Sequence, residues 1–194
     1  DSDIICDLAK ETFKSINIDY VIHVAGKAHS VPKNQAQINE FYKVNHQGTK
    51  NLIKSVSKLS IKTFVFISTV AVYGRETGDL IDESANLLGT TPYALSKIKA
   101  EQEVINFGKQ YNINNVILRL PLVTGKGAVG NLMEIIKAIR KGYYFRIGKG
   151  DVKKSIISAS DISTMIPELI HLNGVYNLSD CKHPTISEID SIIA

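Results

Sequence analysis

The sequence predicts an α/β protein built on a doubly wound parallel sheet. Short apolar segments alternate with stretches of helical periodicity, which is the pattern of repeated βαβ units. The clearest strand, 63–67, is apolar apart from its first residue, as expected for a strand that helices cover on both faces. The clearest helix has apolar or small residues three or four positions apart from Ile38 to Leu59. Together these features predict parallel strands joined by crossover helices.

The remaining elements follow in order along the chain. We predict strands at 20–24, 63–67, 116–120, 143–147, 153–158 and 175–178, and helices at 38–59, 92–111, 131–141, 161–172 and from Thr185 onward. Thr91 and Pro92 form a helix start, since threonine caps and proline suits the first helical position. Gly142 is expected to close its helix. Residues 68–90 are predicted to be a loop, and Pro167 falls where a helix tolerates proline poorly.

Composition excludes several classes of protein. The 194 residues carry 23 Lys+Arg and 19 Asp+Glu, a net charge of +4, and 44% are hydrophobic, which is ordinary globular composition. The charge is too small and too dispersed to predict a nucleic-acid partner, and no apolar run is long enough to predict a membrane partner. Cys6 and Cys181 suit a reducing cytosol, so we predict a cytoplasmic protein. The five histidines lack metal-ligand spacing, so no metal site is predicted.

Two motifs carry candidate acid–base chemistry. Tyr93 and Lys97 lie four residues apart near a predicted helix start, on one face. A lysine ammonium one turn from a phenol should lower the phenol pKa, so that it can exchange a proton with a substrate hydroxyl. Thr69 and Ser68 follow the 63–67 strand, where ligands of open α/β sheets bind. Both patterns also have structural explanations that involve no catalysis. The Tyr–Lys spacing occurs on many exposed helices, and hydroxyls at strand ends often serve as caps.

Two glycine motifs are candidates for binding a phosphate-bearing ligand. Ala25-Gly26 ends the 20–24 strand, and the absent side chain lets a ligand approach the backbone, although such glycines are also ordinary loop residues. Residues 125–130 match G-x-G-x-x-G, with Asp151 further along. Asp151 follows Gly148-Lys149-Gly150, however, and has the context of a turn rather than a strand end.

The motifs become specific when they are taken in order. Five segments carry the pattern: VIHVAG (Val21–Gly26), VNHQGTKNLI (Val44–Ile53), FVFISTVAVYG (Phe64–Gly74), PYALSK (Pro92–Lys97) and LRLPLVTG (Leu118–Gly125). Their order and spacing resemble the extended short-chain dehydrogenase/reductase family, in particular its nucleotide-sugar epimerases, reductases and dehydratases. The resemblance implies a Rossmann-like doubly wound sheet and NAD as cofactor, with NADP left open. On this resemblance the match at 125–130 is a coincidence.

The resemblance also implies a domain organisation. Family members begin with a glycine-rich strand–turn–helix, whereas the strand ending at Gly26 resembles their fourth. We therefore expect a fragment that lacks the N-terminal strands and is inactive alone. Residues 1–125 would form part of an NAD-binding domain, and residues 126–194 would be mostly nucleotide-sugar-binding region, part of a small C-terminal region that is incomplete at its C-terminus.

Roles transfer residue by residue. The resemblance implies that Thr69, Tyr93 and Lys97 are catalytic. It implies contacts to the cofactor for Ala25, Gly26, Asn45, Tyr93, Lys97 and Leu122, and contacts to the substrate for Thr69, Val70, Asn131 and Lys154. Lys154 stands where many relatives have an arginine that grips the diphosphate.

The implied function is an NAD-dependent 4-epimerase of a nucleotide sugar, most simply a UDP-sugar. A 4-keto-sugar reductase is the alternative, and a non-catalytic NAD-binding protein is an alternative of another class. The resemblance disfavours a 4,6-dehydratase, because Val70-Ala71 stands where those enzymes carry an Asp-Glu pair. It also implies a homodimer that pairs through the helices at 38–59 and 91–111.

Overall fold

The computed structural model describes residues 5–13, 17–75, 78, 80–125, 131–143 and 150–193, with the side chains of 131–135 and 193 left out. The chain divides into two compact units. The first comprises Asp1–Arg119 and Pro167–Asn177, and the second Leu120–Ile166 and Leu178–Ala194.

Six strands and six α-helices lie in the described part of the chain. The strands are β1 (Tyr20–His23), β2 (Thr63–Thr69), β3 (Asn114–Leu120), β4 (Leu122–Thr124), β5 (Ile156–Ser158) and β6 (Gly174–Asn177). The helices are α1 (Gln35–Phe41), α2 (Gly48–Val56), α3 (Pro92–Tyr111), α4 (Asn131–Arg140), α5 (Ala159–Leu169) and α6 (Ile186–Ile193). A π-helical segment, Tyr42–Gln47, joins α1 to α2, and a 3-10 turn, Val70–Tyr73, follows β2.

The main sheet has the strand order β1-β2-β3-β6. β1 pairs with β2 in parallel, with Ile22 opposite Val65, and β3 pairs with β6 in parallel, with Ile117 opposite Val175. Helices connect these strands, since parallel neighbours require crossovers. The predicted α/β class with a doubly wound parallel sheet is therefore confirmed.

The core of the first unit lies between the sheet and α3. Phe64 and Val104 are fully buried, and the Phe64 and Phe107 rings meet edge to face at 5.8 Å between centroids. The apolar stripe of α2 adds Leu52 and Val56 to the same cluster. This packing fixes the end of β2 beside the first turn of α3, which is where the candidate residues lie.

The second unit contains a two-stranded parallel sheet, β4 with β5, in which Leu122 lies opposite Ile156. Helix α6 begins with a capping box: Thr185 Oγ1 accepts from the Glu188 N–H at 3.1 Å, and a Glu188 carboxylate oxygen accepts from the Thr185 N–H at 2.7 Å. The predicted start at Thr185 is confirmed.

Several predicted boundaries require correction. The helix predicted at 38–59 consists of three segments, because the backbone hydrogen bonds change from the α-helical to the wider π-helical pattern over Tyr42–Gln47. β2 runs two residues beyond 67, so that Ser68 and Thr69 belong to the strand, and the predicted loop after it contains the 3-10 turn. α5 accommodates Pro167 and ends two residues later. The strand predicted at 153–158 begins only at Ile156, and the one predicted at 143–147 lies almost wholly outside the described residues.

Among the described residues, no helix combines the length and the apolar character that a membrane crossing requires.

Candidate active site

Thr69 lies at the end of β2 and begins the 3-10 turn. Its Oγ1 accepts a hydrogen bond from the Ala71 N–H at 3.2 Å, so the side chain caps the turn. The hydroxyl of Thr69 also lies close enough to the phenol of Tyr93 to act on its pKa. Two of the three predicted catalytic residues are therefore neighbours.

Tyr93 and Lys97 are placed by the start of α3. Thr91 Oγ1 accepts from the Ala94 N–H at 3.1 Å, and Pro92 occupies the first helical position, as predicted. Tyr93 and Lys97 line one shallow depression, together with Val24, Gly26, Lys27, Ala28, Ile67 and Ser68.

The pKa of Tyr93 differs from the sequence-based expectation. Burial raises it above its ordinary value, and the neighbouring Thr69 hydroxyl lowers it by less. The predicted lowering by Lys97 is thus wrong for the protein without ligands. The reason is geometric, because the Lys97 ammonium donates to the Ile67 carbonyl at 2.7 Å and lies 4.6 Å from the centre of the Phe66 ring.

Lys97 is a nearly buried cation, with 5% of its surface exposed. Burial lowers its pKa to about 8, while the charge of Glu101 acts to raise it. Lys97 therefore titrates within the range of pH in which enzymes are commonly assayed.

Gly26 lies close to Asn45 and Lys97, where a side chain would be crowded. A Cβ at this position would lie 3.3 Å from Asn45 Oδ1 and 3.4 Å from Lys97 Nζ. Any side chain here would fill the depression, so glycine keeps it open to a ligand that approaches the backbone. Ala25, beside it, is exposed.

Asn45 lies in the π-helical segment and is 1% exposed. Its Oδ1 accepts from the Lys27 N–H at 2.6 Å, and its Nδ2 donates to the Lys27 carbonyl and to Ser96 Oγ, each at 2.9 Å. Asn45 thus ties the loop after β1 to helix α3. Asn45 lies beside Gly26, but its amide contacts protein groups, so the predicted contact with a cofactor stays a prediction.

His23, at the end of β1, is buried behind the depression. Thr49 donates its hydroxyl proton to the Asn45 carbonyl at 2.6 Å, so the 2.9 Å contact between His23 Nε2 and Thr49 Oγ1 requires an Nε2–H donor. Burial, with the charge of Lys97, lowers the His23 pKa to about 4. His23 is therefore neutral near pH 7.

A buried polar network behind the site was not predicted from the sequence. Glu101 accepts from Ser68 Oγ and pairs with Arg119 in a two-point contact of 3.1 and 2.7 Å. Two signals were available: Glu101 lies one turn after Lys97, and Arg119 is a charged residue inside an apolar strand.

The other predicted residues are placed as follows. Val70 is in the 3-10 turn and is 37% exposed. Leu122 in β4 and Lys154, which is half-buried, belong to the second unit, as does Asn131, which begins α4 and whose side chain lies outside the described residues. Residues 126–130 of the glycine match also lie outside them. The roles of all four residues stay predictions.

In the part of the chain that the structure describes, no cluster of three or more His, Cys, Asp or Glu side chains could hold a metal ion.

Comparison with known proteins decides the family. The model of the NAD dependent epimerase/dehydratase family matches residues 5–178. The chain belongs to this family. The resemblance inferred from the five segments is confirmed, and members of the family are enzymes.

Individual relatives agree with this membership. UDP-glucose 4-epimerase of Vibrio cholerae is 30% identical over 181 residues, which are 89% of this chain and 55% of that protein. Human dTDP-D-glucose 4,6-dehydratase is 36% identical over 123 residues, which are 62% of this chain and 35% of that protein. The chain thus spans about half the length of the Vibrio cholerae relative.

Solved structures give the same fold. A UDP-N-acetylglucosamine 4-epimerase from Methanobrevibacter ruminantium M1 superposes with a TM-score of 0.79 and 28% identity, covering 96% of this chain and 62% of that one. A UDP-glucuronic acid 4-epimerase from Bacillus cereus, solved with UDP-glucuronic acid and NAD, has a TM-score of 0.77 at 21% identity and supports the fold alone.

Proposed function

We propose that this protein is an NAD-dependent nucleotide-sugar 4-epimerase. The observation that carries the proposal is that Tyr93 and Lys97 line one depression at the end of β2, with Thr69 next to Tyr93. Relatives named as UDP-sugar 4-epimerases support it. A protein that only binds NAD needs no tyrosine placed next to a strand-end threonine, so the cluster favours catalysis over binding alone.

The residues around the depression fit NAD. The absent Cβ at Gly26 leaves the backbone accessible at the edge of the depression, and Lys97 offers a donor beside it. Gly26, Tyr93 and Lys97 would hold the group, with Ala25, Asn45 and Leu122 proposed as further lining. NAD when bound supplies reversible hydride transfer at C4 of the sugar.

The chain's own residues supply the proton transfer. Tyr93 exchanges a proton with the oxygen on C4. The Thr69 hydroxyl lies next to the same phenol. Burial raises the pKa of Tyr93, so Tyr93 holds its proton at neutral pH. Lys97 lies in the same depression and offers a charged donor there.

A second candidate function, a 4-keto-sugar reductase, uses the same residues. A tyrosine that holds its proton is already in the form needed to protonate a C4 carbonyl oxygen. Dehydration is not proposed, because Val70 and Ala71 follow Thr69 and offer neither acid nor base.

The substrate side of the proposal rests on the second unit. We propose that Asn131 and Lys154 contact the nucleotide diphosphate of a UDP-sugar and that Val70 lines the sugar pocket. A lysine offers a point charge there rather than a two-point fork. Residues 1–125 would serve the cofactor and 126–194 the nucleotide sugar, in a cytoplasmic homodimer.

The test uses the full-length protein with NAD and a panel of UDP-sugars, following the C4 configuration of the product and the absorbance of NADH. A C4 epimer without net NADH is the expected result. Consumption of NAD(P)H on a 4-keto sugar, with no epimer, would establish the reductase instead. Silence in both assays would reject catalysis on UDP-sugars.

The residue-level test is Tyr93→Phe, with Tyr111→Phe as the matched control at the far end of the same helix. We expect Tyr93→Phe to lower kcat about 100-fold or more, because the acid–base group is removed. Tyr111 is 44% exposed and packs its ring on Phe107, so its variant should keep the wild-type kcat. Full activity in Tyr93→Phe would disprove the assignment.

A further inference from the structure

A buried ion pair lies directly behind the candidate catalytic cluster. Glu101 is 1% exposed and Arg119 4% exposed, and two guanidinium N–H groups of Arg119 donate to the two carboxylate oxygens. Burying such a pair removes two charges from water, and apolar residues in the same place are often as stable or more so. Stability alone therefore does not account for its presence here.

The carboxylate of Glu101 also reaches the end of β2. Ser68 donates its hydroxyl to Glu101 Oε1. Ser68 stands between Ile67, whose carbonyl accepts from the Lys97 ammonium, and Thr69, whose hydroxyl contacts Tyr93. Glu101 thus holds the three-residue segment that makes both contacts with the catalytic residues of α3.

Arg119 is anchored on its other side by the turn that follows Thr69. Its Nη1 donates to the Tyr73 hydroxyl at 3.0 Å and to the Glu83 carbonyl at 3.2 Å. Tyr73 in turn donates to Asn177 on β6 at 2.7 Å. The network therefore forms hydrogen bonds to Ser68 before Thr69 and to Tyr73 after it. Through Tyr73 it also reaches β6, the strand at the other edge of the described sheet.

Glu101 also acts on Lys97 through space. The titratable groups around Lys97 in the described structure are Tyr93 and Glu101 on its own helix, His23 on β1, and Lys27 in the loop after β1. The Lys27 ammonium pairs with Glu40 at 3.0 Å. β2 contributes a carbonyl and the Phe66 ring, and Arg119 on β3 reaches Lys97 only through Glu101. His23 is neutral near pH 7, so Glu101 is the negative charge next to this cation.

We propose that Glu101 is a positioning residue, which holds Thr69 through Ser68 and supports the charged form of Lys97, and that Arg119 fixes the orientation of its carboxylate. The proposal rests on the proposed function, because Thr69, Tyr93 and Lys97 are its catalytic residues. It adds two residues from outside the pocket to the machinery of the site.

Two variants of the full-length protein separate the two effects. Ser68→Ala removes the link to β2 and leaves the ion pair intact. Glu101→Gln keeps the size of the side chain and one acceptor oxygen, removes the charge, and replaces the other oxygen, which accepts from Arg119, with an NH2 donor. The matched control is Glu103→Gln on the same helix, where the carboxylate pairs with His46 at 2.9 Å and does not reach the network.

We expect Ser68→Ala to lower kcat about 10-fold or more with KM changed less than about 3-fold, since small misplacements of reacting groups are costly. The fall of kcat at high pH, which we attribute to deprotonation of Lys97, should keep its midpoint in Ser68→Ala. Glu101→Gln should move that midpoint to lower pH, because Lys97 loses the charge that raises its pKa. Glu103→Gln should match the wild type in both measurements.

A second readout does not require turnover. Carbon-13 NMR of the lysine Cε groups, assigned with Lys97→Met, follows the titration of Lys97 directly. Its midpoint, near pH 8 in the wild type, should fall in Glu101→Gln and stay unchanged in Ser68→Ala.

The outcomes are distinguishable. A wild-type kcat in folded Ser68→Ala overturns the positioning role, and an unmoved Lys97 midpoint in Glu101→Gln overturns the charge role. If Glu101→Gln fails to fold, Ser68→Ala alone decides the positioning role. If the wild type turns over no nucleotide sugar, the proposed function fails, and the Lys97 midpoint still decides whether Glu101 supports its charge.

Discussion

Acidification should destabilise this protein through His23, and the structure supplies the magnitude. The ring is 4% exposed, and its pKa falls from 6.5 to about 4 because burial penalises the charged form, with the Lys97 charge adding to the effect. Between these two values the unfolded chain binds a proton that the folded chain does not. Stability is therefore lost as the pH falls from 6.5 towards 4, and not above that range.

Each pH unit between the two pKa values is worth about 1.4 kcal/mol. The His23 contribution therefore amounts to about 2 kcal/mol lost between pH 7.5 and pH 5, and about 3 kcal/mol once the pH is below 4. Lys97, with a pKa of about 8, is mostly charged at pH 7.5 and fully charged at pH 5, so its titration adds little to this difference and is shared by a variant that changes only His23.

The assay is urea unfolding at pH 7.5 and pH 5 for the wild type and for His23→Gln. Glutamine can still donate to Thr49, but it does not titrate. We expect the wild type to lose about 2 kcal/mol more than the variant between the two pH values. Carboxylates that titrate in this range are common to both proteins and cancel. Equal losses in the two proteins would refute the assignment of a depressed pKa to His23.

Two further substitutions test the pocket and the core. Gly26→Ala should fold normally and bind NAD about 10-fold more weakly, because its methyl group would sit 3.3 Å from Asn45 Oδ1, in the space proposed for the cofactor; unchanged affinity by calorimetry would place the cofactor elsewhere. Val104→Ala should lower the free energy of unfolding, measured by urea unfolding, by about 2 kcal/mol, since it removes two methyl groups at a fully buried position. The control Val152→Ala, at a site that is 49% exposed, should lower it by less than about 0.5 kcal/mol. Equal losses in the two variants would contradict the assigned core.

The elements that sequence predicted well are those with a strong local pattern. β2 is recognisable in the sequence as an apolar run. The predicted start of α3 is also observed, with Thr91 as N-cap and Pro92 as the first helical residue. Thr69 was predicted at a strand end and Tyr93 near a helix start, and the family resemblance implied that the two act in one site. Each of these depends on a few neighbouring residues or on a recognisable motif.

What sequence did not predict depends on distant partners. β4 is three residues long and gains its identity only by pairing with β5, more than thirty positions away. The Glu101–Arg119 pair joins a helix to a strand 18 positions later. The sign of the Tyr93 pKa shift was missed because it is set by burial, which is a property of the whole fold, while the spacing to Lys97 suggested the opposite.

Asn45 has a consequence for how this pocket binds. Both amide protons and one oxygen lone pair of Asn45 form hydrogen bonds with Lys27 and Ser96. These bonds link the loop at the edge of the depression to the helix that carries Tyr93. The conformational entropy of that loop is lost during folding rather than during ligand association. Ordering a backbone residue costs about 1–2 kcal/mol, so a ligand that enters here meets a preorganised wall and keeps more of its interaction energy as affinity.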